Sequence, residues 1–173
     1  MKTMLLPIVL FLIIFTSCFP KKDKTSDLES KALDKRLDGA DVNDIRFVDY
    51  TDVDGYFFAS KVDSLTVFML NKADFERYFH PARTMTNRST EIDFDMQRVG
   101  VIVLPETKNN VSILLDSVYA IGRRLNIVYS IKQEPDERSF TIIPYRSFVF
   151  DASLDVDSVT FRNGNRKEQL SVK

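Results

Sequence analysis

The chain is poor in the residue types on which several common chemistries depend. It has one cysteine, Cys18, one histidine, His80, no tryptophan and five glycines in 173 residues. A single cysteine excludes an internal disulfide framework, and with only His80 beside it a zinc site of His and Cys is excluded as well. So few glycines leave no material for a Gly-rich phosphate loop. A Ser-His-Asp arrangement would have to use His80, and no nucleophile motif accompanies it. The net charge is −1 and no long basic stretch occurs, so the electrostatic footprint of a nucleic-acid binder is missing. Missing too is an apolar run of the roughly 20 residues that a membrane-spanning helix needs.

What is present starts at the N-terminus. Met1-Lys2-Thr3-Met4 precede an apolar run over residues 5–15, interrupted only by Pro7. A lysine followed by a short apolar core is the plan of a secretory signal. The run ends in Phe15-Thr16-Ser17-Cys18, which resembles the bacterial lipobox: a bulky apolar residue, two small ones, then the cysteine that carries diacylglycerol. The resemblance implies that residues 1–17 are removed and that Cys18 becomes the lipidated N-terminus. Each buried methylene contributes about 0.8 kcal/mol and one acyl chain holds only marginally, so the two or three chains of a lipoprotein make a lasting anchor. The expected relation to the membrane is anchored to it, not spanning it. Phe19 stands where the sorting rule of enteric bacteria places Asp for inner-membrane retention, which points to the outer membrane of a Gram-negative envelope.

Loss of Lys2 with the signal takes the net charge from −1 to −2. Residues 18–43 read as a polar tether, with Lys21-Lys22-Asp23-Lys24 beside the lipid, where lysines meet anionic headgroups. Leu28, Ala32, Leu33 and Leu37 allow a short amphipathic helix ending at Gly39. Residues 44–173 read as a single globular domain. With Cys18 acylated it holds no thiol and must fold by core burial alone, for which 14 Phe and a 44% hydrophobic content supply the material.

Strands are expected at residues 45–48 and 56–59, flanking the turn Asp52-Val53-Asp54-Gly55, and at 65–70, apolar on both faces. Asn71 suits a helix N-cap, and Phe75, Tyr78 and Phe79 share one helical face, with Pro81 as the stop. Residues 82–95 lack periodicity and form a long loop, functional or mobile. Residues 99–104 are a central strand. Leu125, Ile127, Tyr129 and Ile131 alternate with Asn126, Val128, Ser130 and Lys132 at a period of two. Further strands are expected at 140–143, 148–150 and 159–161, and Asn163-Gly164-Asn165 signals a hairpin before a last strand at 168–172. Short strands about ten residues apart predict an α+β fold, mainly antiparallel β, as a sandwich or barrel-like sheet with one short packed helix.

His80 follows the helix, where an imidazole interacts well with the helix dipole. Asp49, Asp52, Asp54 and Gly55 superficially resemble part of a calcium loop. Read as an EF-hand, however, position one would be Tyr50 and position twelve Lys61. Asp151, Asp155 and Asp157 cluster similarly. Aspartate favours turns by bonding nearby backbone amides, and both clusters read as turns. No catalytic residue, cofactor or metal ligand is assigned. The loop stretch from Arg83 to Arg98 holds Arg83, Arg88 and Arg98 beside polar residues and marks a candidate interaction surface, since exposed arginine is enriched at interfaces.

Glu91-Ile92-Asp93-Phe94 leading into Val99-Gly100-Val101-Ile102-Val103, and Ser139-Phe140-Thr141-Ile142-Ile143-Pro144 leading into Phe148-Val149-Phe150, resemble the PrcB-like C-terminal domain. That family is a small β-rich module associated with a surface protease complex and found in many bacterial lipoproteins. The likeness covers residues 91–173 and implies a non-catalytic domain that binds or stabilises another envelope protein. The leading expectation is therefore a membrane-anchored, protein-binding module that does not bind nucleic acid. The alternatives are a carrier or sensor of a small apolar ligand in a β cavity, and a glycosidase using a pair of carboxylates.

Overall fold

The computed structural model describes residues 44–82 and 88–172, which fall within a unit spanning Ala40–Lys173. Cys18, the signal and the tether expected at 18–43 lie outside the described residues. In chain order the elements are β1 (Ile45–Phe47), β2 (Thr51–Asp52), β3 (Tyr56–Phe58), β4 (Thr66–Leu70), helix α1 (Lys72–Tyr78) and β5 (Phe79–Pro81). They continue with β6 (Gln97–Val103), β7 (Thr107–Ile121), β8 (Arg124–Ile142), β9 (Tyr145–Asp151), β10 (Ser158–Asn163) and β11 (Arg166–Ser171). A five-stranded sheet has the order β1-β7-β8-β10-β11, a four-stranded sheet the order β2-β9-β6-β4, and β3 pairs with β5 alone.

The four-stranded sheet is the middle layer, and its sequence shows why. One face of its strands carries Val67, Ile102, Phe148 and Phe150, which pack with Ile113, Leu125, Ile127, Val159 and Phe161 of the larger sheet. The other face carries Leu70, Val99, Val101, Val103 and Val149, which pack with Phe58, Phe75 and Phe79. Strands apolar at consecutive positions, such as Val101-Ile102-Val103, are what a sheet covered on both faces requires. Strand 65–70 is covered on both faces in the same way, as its composition leads one to expect.

Helix α1 starts where expected. Asn71 is its N-cap, the side-chain oxygen accepting the backbone N–H of Asp74 at 2.9 Å. It ends earlier than Pro81 alone would dictate, at Tyr78, and residues 79–81 turn into β5. A residue preceding proline is pushed out of the helical region, so His80 is extended, and Phe58 pairs with Phe79 and Phe57 with His80. Extension also carries the Phe79 ring to within 4.8 Å of Phe75, 5.3 Å of Phe58 and 5.4 Å of Tyr145, centroid to centroid. His80 therefore does not sit on a helix C-terminus.

Two hairpins turn on glycines in the left-handed region: Gly122 (φ 54°) between β7 and β8, and Gly164 (φ 55°) between β10 and β11. Strands β1 and β3 flank the Asp52–Gly55 segment without pairing with each other; β1 joins β7 and β3 joins β5. The strand expected at 140–143 is the far end of β8. One pair departs from antiparallel order: β10 runs parallel to β8, Val159 beside Leu125 and Phe161 beside Ile127. Between them the chain crosses to the other sheet as β9, so it re-enters the first sheet in the direction it left.

Candidate functional site

Strands β7 and β8 run beyond their neighbours. Strand β1 pairs with β7 at Tyr119, Ala120 and Ile121, the Val48 N–H just beyond it donates to the Val118 carbonyl at 3.0 Å, and β10 covers β8 only from Arg124 to Val128. Among the described residues, no strand pairs with residues 107–117 of β7 on the side away from β8, nor with residues 129–142 of β8 on its far side. The result is a two-stranded arm. In its outer half β8 takes nine steps, from Gln133 to Ile142, opposite the four steps of β7 from Val111 to Thr107. The surplus bulges outward and is exposed.

Side chains fix this bulge. Asn110 donates to Glu134, and Arg138 donates to the Asn110 oxygen at 2.7 Å. Thr141 donates to Glu106 at 2.7 Å, and Lys61 reaches the same carboxylate at 3.1 Å. The Thr141 hydrogen bond, then the bond and charge of Lys61, hold Glu106 below the usual carboxylate range. Phe140 stands 58% exposed, with the Arg138 guanidinium 5.8 Å above its ring.

A groove of about 440 Å³ lies beside the β7 edge, between Val111, Ser112 and Ile113 on one side and Asp52, Asp54 and Gly55 on the other. Arg146 spans it. The guanidinium forks onto Asp52, with contacts of 3.1 and 2.7 Å, and its third nitrogen donates to the Ile113 carbonyl at 3.1 Å. The arginine thus supplies the outward-facing carbonyl with the donor that a neighbouring strand would otherwise give. Tyr145 closes the groove floor, its hydroxyl donating to the Tyr56 carbonyl. Burial, helped by the Asp54 charge, pushes the Tyr145 hydroxyl above its ordinary value.

The long loop starts and ends at the rim of this groove. The Ala82 N–H donates to the Gly55 carbonyl at 2.8 Å, and the Thr90 N–H to the Asp54 carbonyl at 2.9 Å. The Asp54 N–H donates to the Thr90 hydroxyl and the Tyr56 hydroxyl to the Thr90 carbonyl. Gly55 is needed there: its φ is 79°, and a Cβ would lie 2.5 Å from the Ser89 Cα.

Of the arginines singled out in the sequence, Arg88 is exposed beside this rim and Arg83 lies outside the described residues. Arg98 is not on the loop but in β6, opposite Phe150. His80 is exposed on β5, its ring 5.7 Å from Phe57. The acidic clusters serve local structure. Asp52 holds Arg146, Asp155 and Asp157 each contact Arg123 at 3.3 Å, and Asp151 accepts the Ser153 N–H at 2.7 Å. Among the described residues no group of three or more His, Cys, Asp or Glu is placed to hold a metal ion. No described carboxylate is buried; Asp52, Asp74 and Glu168 are half-buried, Asp52 and Glu168 each contacting an arginine and Asp74 accepting from the Asn71 amide. The arm itself has no local sequence signal, because its free edges follow from where β1 and β10 stop.

No protein-family model matches the chain, and no curated protein or solved structure is significantly similar to it.

Proposed function

We propose that the protein is a non-catalytic module of the bacterial envelope, anchored through lipid on Cys18, that takes an extended segment of a protein partner along the edge of β7. The observation that carries this reading is the eleven-residue edge of β7, residues 107–117, which no described strand covers and which borders an open groove. An uncovered edge is a row of backbone donors and acceptors that another chain can pair with.

The placement favours it further. The chain enters β1 at Ile45, opposite Ile121. Val111 lies ten residues along β7 from there, roughly 33 Å at about 3.3 Å per residue. A tether arriving at Ile45 leaves the groove at the far end of the sheet.

The two alternatives have less support. The space between the sheets is filled by Ile102, Leu125, Ile127, Phe148 and Phe161, all 1% exposed or less, which leaves an apolar ligand little room there. A carboxylate glycosidase needs two acids aimed into one cleft. The half-buried acid of the groove, Asp52, is already held by Arg146.

The test is affinity capture of the full-length lipidated protein from its native envelope after cross-linking, read by mass spectrometry. Ile113 directs its carbonyl outward, so Val111, two residues away on the same strand, directs its N–H outward too. Val111→Pro removes that donor without touching the β7–β8 ladder, and Val111→Ala controls for the lost side chain. One envelope protein captured with wild type and Val111→Ala but lost with Val111→Pro is the expected result. Equal capture by all three, or capture of nothing, would overturn the reading.

A further inference from the structure

The second site is at the opposite end of the sandwich, and its centre is Arg98. On β6, Arg98 shares a face with Gly100 and Ile102, the face turned toward the five-stranded sheet. Its cross-strand partner Phe150 belongs to the core between the sheets. The Arg98 side chain is therefore at the mouth of the sandwich, where a core residue would otherwise stand. Its Nε is buried with no hydrogen-bond partner. The ion pairs of Lys61, Arg123, Arg146 and Arg166 do not include Arg98. A guanidinium partly withdrawn from water is ordinarily paired, because the withdrawn N–H loses its hydration and gains nothing in return.

Arg98 borders an open groove of about 590 Å³, larger than the one beside β7. Its lining joins two kinds of surface. Met69, Ala152 and Val172 supply apolar area, and Lys72 adds a second positive charge against the single acid Asp95. Arginine is the side chain best suited to gripping a planar or tetrahedral oxyanion with two parallel N–H bonds. A site made of one unpaired guanidinium, an excess of positive charge and an apolar wall matches a molecule with an anionic head and a short apolar body.

We infer that the mouth of the sandwich binds an amphipathic oxyanion, a carboxylate or phosphate-monoester head on Arg98 with its alkyl portion against Met69, Ala152 and Val172. Nothing in the site requires the partner-binding edge of β7, and the two stand or fall separately. The head makes charge-assisted bonds to the terminal nitrogens of the guanidinium. The alkyl part displaces water from the apolar wall. Both parts are needed, which separates this site from a general anion patch and from a general apolar crevice.

The experiment is calorimetric titration of the full protein in lipid nanodiscs, with empty nanodiscs as the baseline for partition into lipid. The probes are hexanoate, hexyl phosphate, hexanol and acetate. Binding of hexanoate, hexyl phosphate or both, with hexanol and acetate at least tenfold weaker, is the expected result, and the relative affinity of the two anions identifies the head. Arg98→Gln weakens that binding at least tenfold, Arg98→Lys retains part of it, and Arg88→Gln, on the exposed loop, leaves it unchanged. The inference is overturned if neither anion binds, or if hexanol or acetate binds as tightly as they do. It is equally overturned if folded Arg98→Gln binds like wild type. The comparison of probes on the wild type needs no variant, so a misfolded Arg98→Gln does not remove the test.

Discussion

Phe148 lies across Gly100. A Cβ at Gly100 would stand 2.5 Å from Cζ of Phe148 and 2.8 Å from Cε2, and the two residues face each other across the β6–β9 ladder. The ring, with 0% exposure, fills the space that the glycine leaves in a strand otherwise made of Val and Ile. Gly100→Ala overpacks that spot and costs about 1–3 kcal/mol, while Phe148→Ala empties it and costs about 3–5 kcal/mol. Chemical denaturation checks both. Because the residues touch, the double variant loses less than the sum of the singles; strict additivity would show that the ring has another place to go.

Arg146 stitches the two sheets at the groove. Arg146→Ala leaves the half-buried Asp52 carboxylate without its fork and the Ile113 carbonyl without a donor. The expected loss is about 1–2 kcal/mol, which equilibrium unfolding measures. Arg146→Lys keeps the charge but cannot reach both carboxylate oxygens and the carbonyl, so it recovers only part of the loss.

Gly55 holds the base of the loop. Gly55→Ala forces a side chain into a left-handed backbone at a cost of about 1–3 kcal/mol, and its Cβ meets the Ser89 backbone besides. The amides of Ala82 and Thr90, which bond to the Asp54–Gly55 carbonyls, exchange faster in the variant by hydrogen-exchange mass spectrometry. Unchanged exchange there would mean that the loop is not fastened at this point.

Alkaline pH destabilises the fold through the buried Tyr129 and the half-buried Tyr145. Burial is the leading cause raising both Tyr129 and Tyr145 above the ordinary value of 10.0. Above pH about 10 the unfolded chain releases these protons while the folded chain keeps them, so stability is intact below that pH and falls as pH rises. Tyr145→Phe removes one such group, and its stability declines less steeply with pH over that range than that of the wild type. Parallel declines would contradict the assignment.

Much of the fold is legible in local pattern. Asn71 and the spacing of Phe75 and Tyr78 give the helix, the consecutive apolar residues 99–103 give a strand covered on both faces, and Asn163-Gly164-Asn165 gives its hairpin. What is not legible depends on distant partners. The extended state of His80 follows from Pro81, but its pairing with Phe57 requires β3. Arg98 is one residue short of an obvious apolar run, and only the register with Phe150 shows that it belongs to the strand. Residues 133–139 are polar and carry no strand pattern, yet they belong to β8, which joins the alternating stretch from Leu125 to the strand expected at 140–143. The parallel placement of β10 against β8 depends on β9 crossing to the other sheet, which no window of sequence displays. The groove and the β7 edge are products of those same long-range pairings.

The central claim is that the β7 edge receives a protein partner. Its most direct test is site-specific photocross-linking in intact cells, with the photoreactive residue at Ser112, on the groove, or at Gln169, on the exposed part of β11. A discrete adduct with one envelope protein from Ser112 and none from Gln169 is the predicted result. No adduct at Ser112, or the same adducts from both positions, would contradict it.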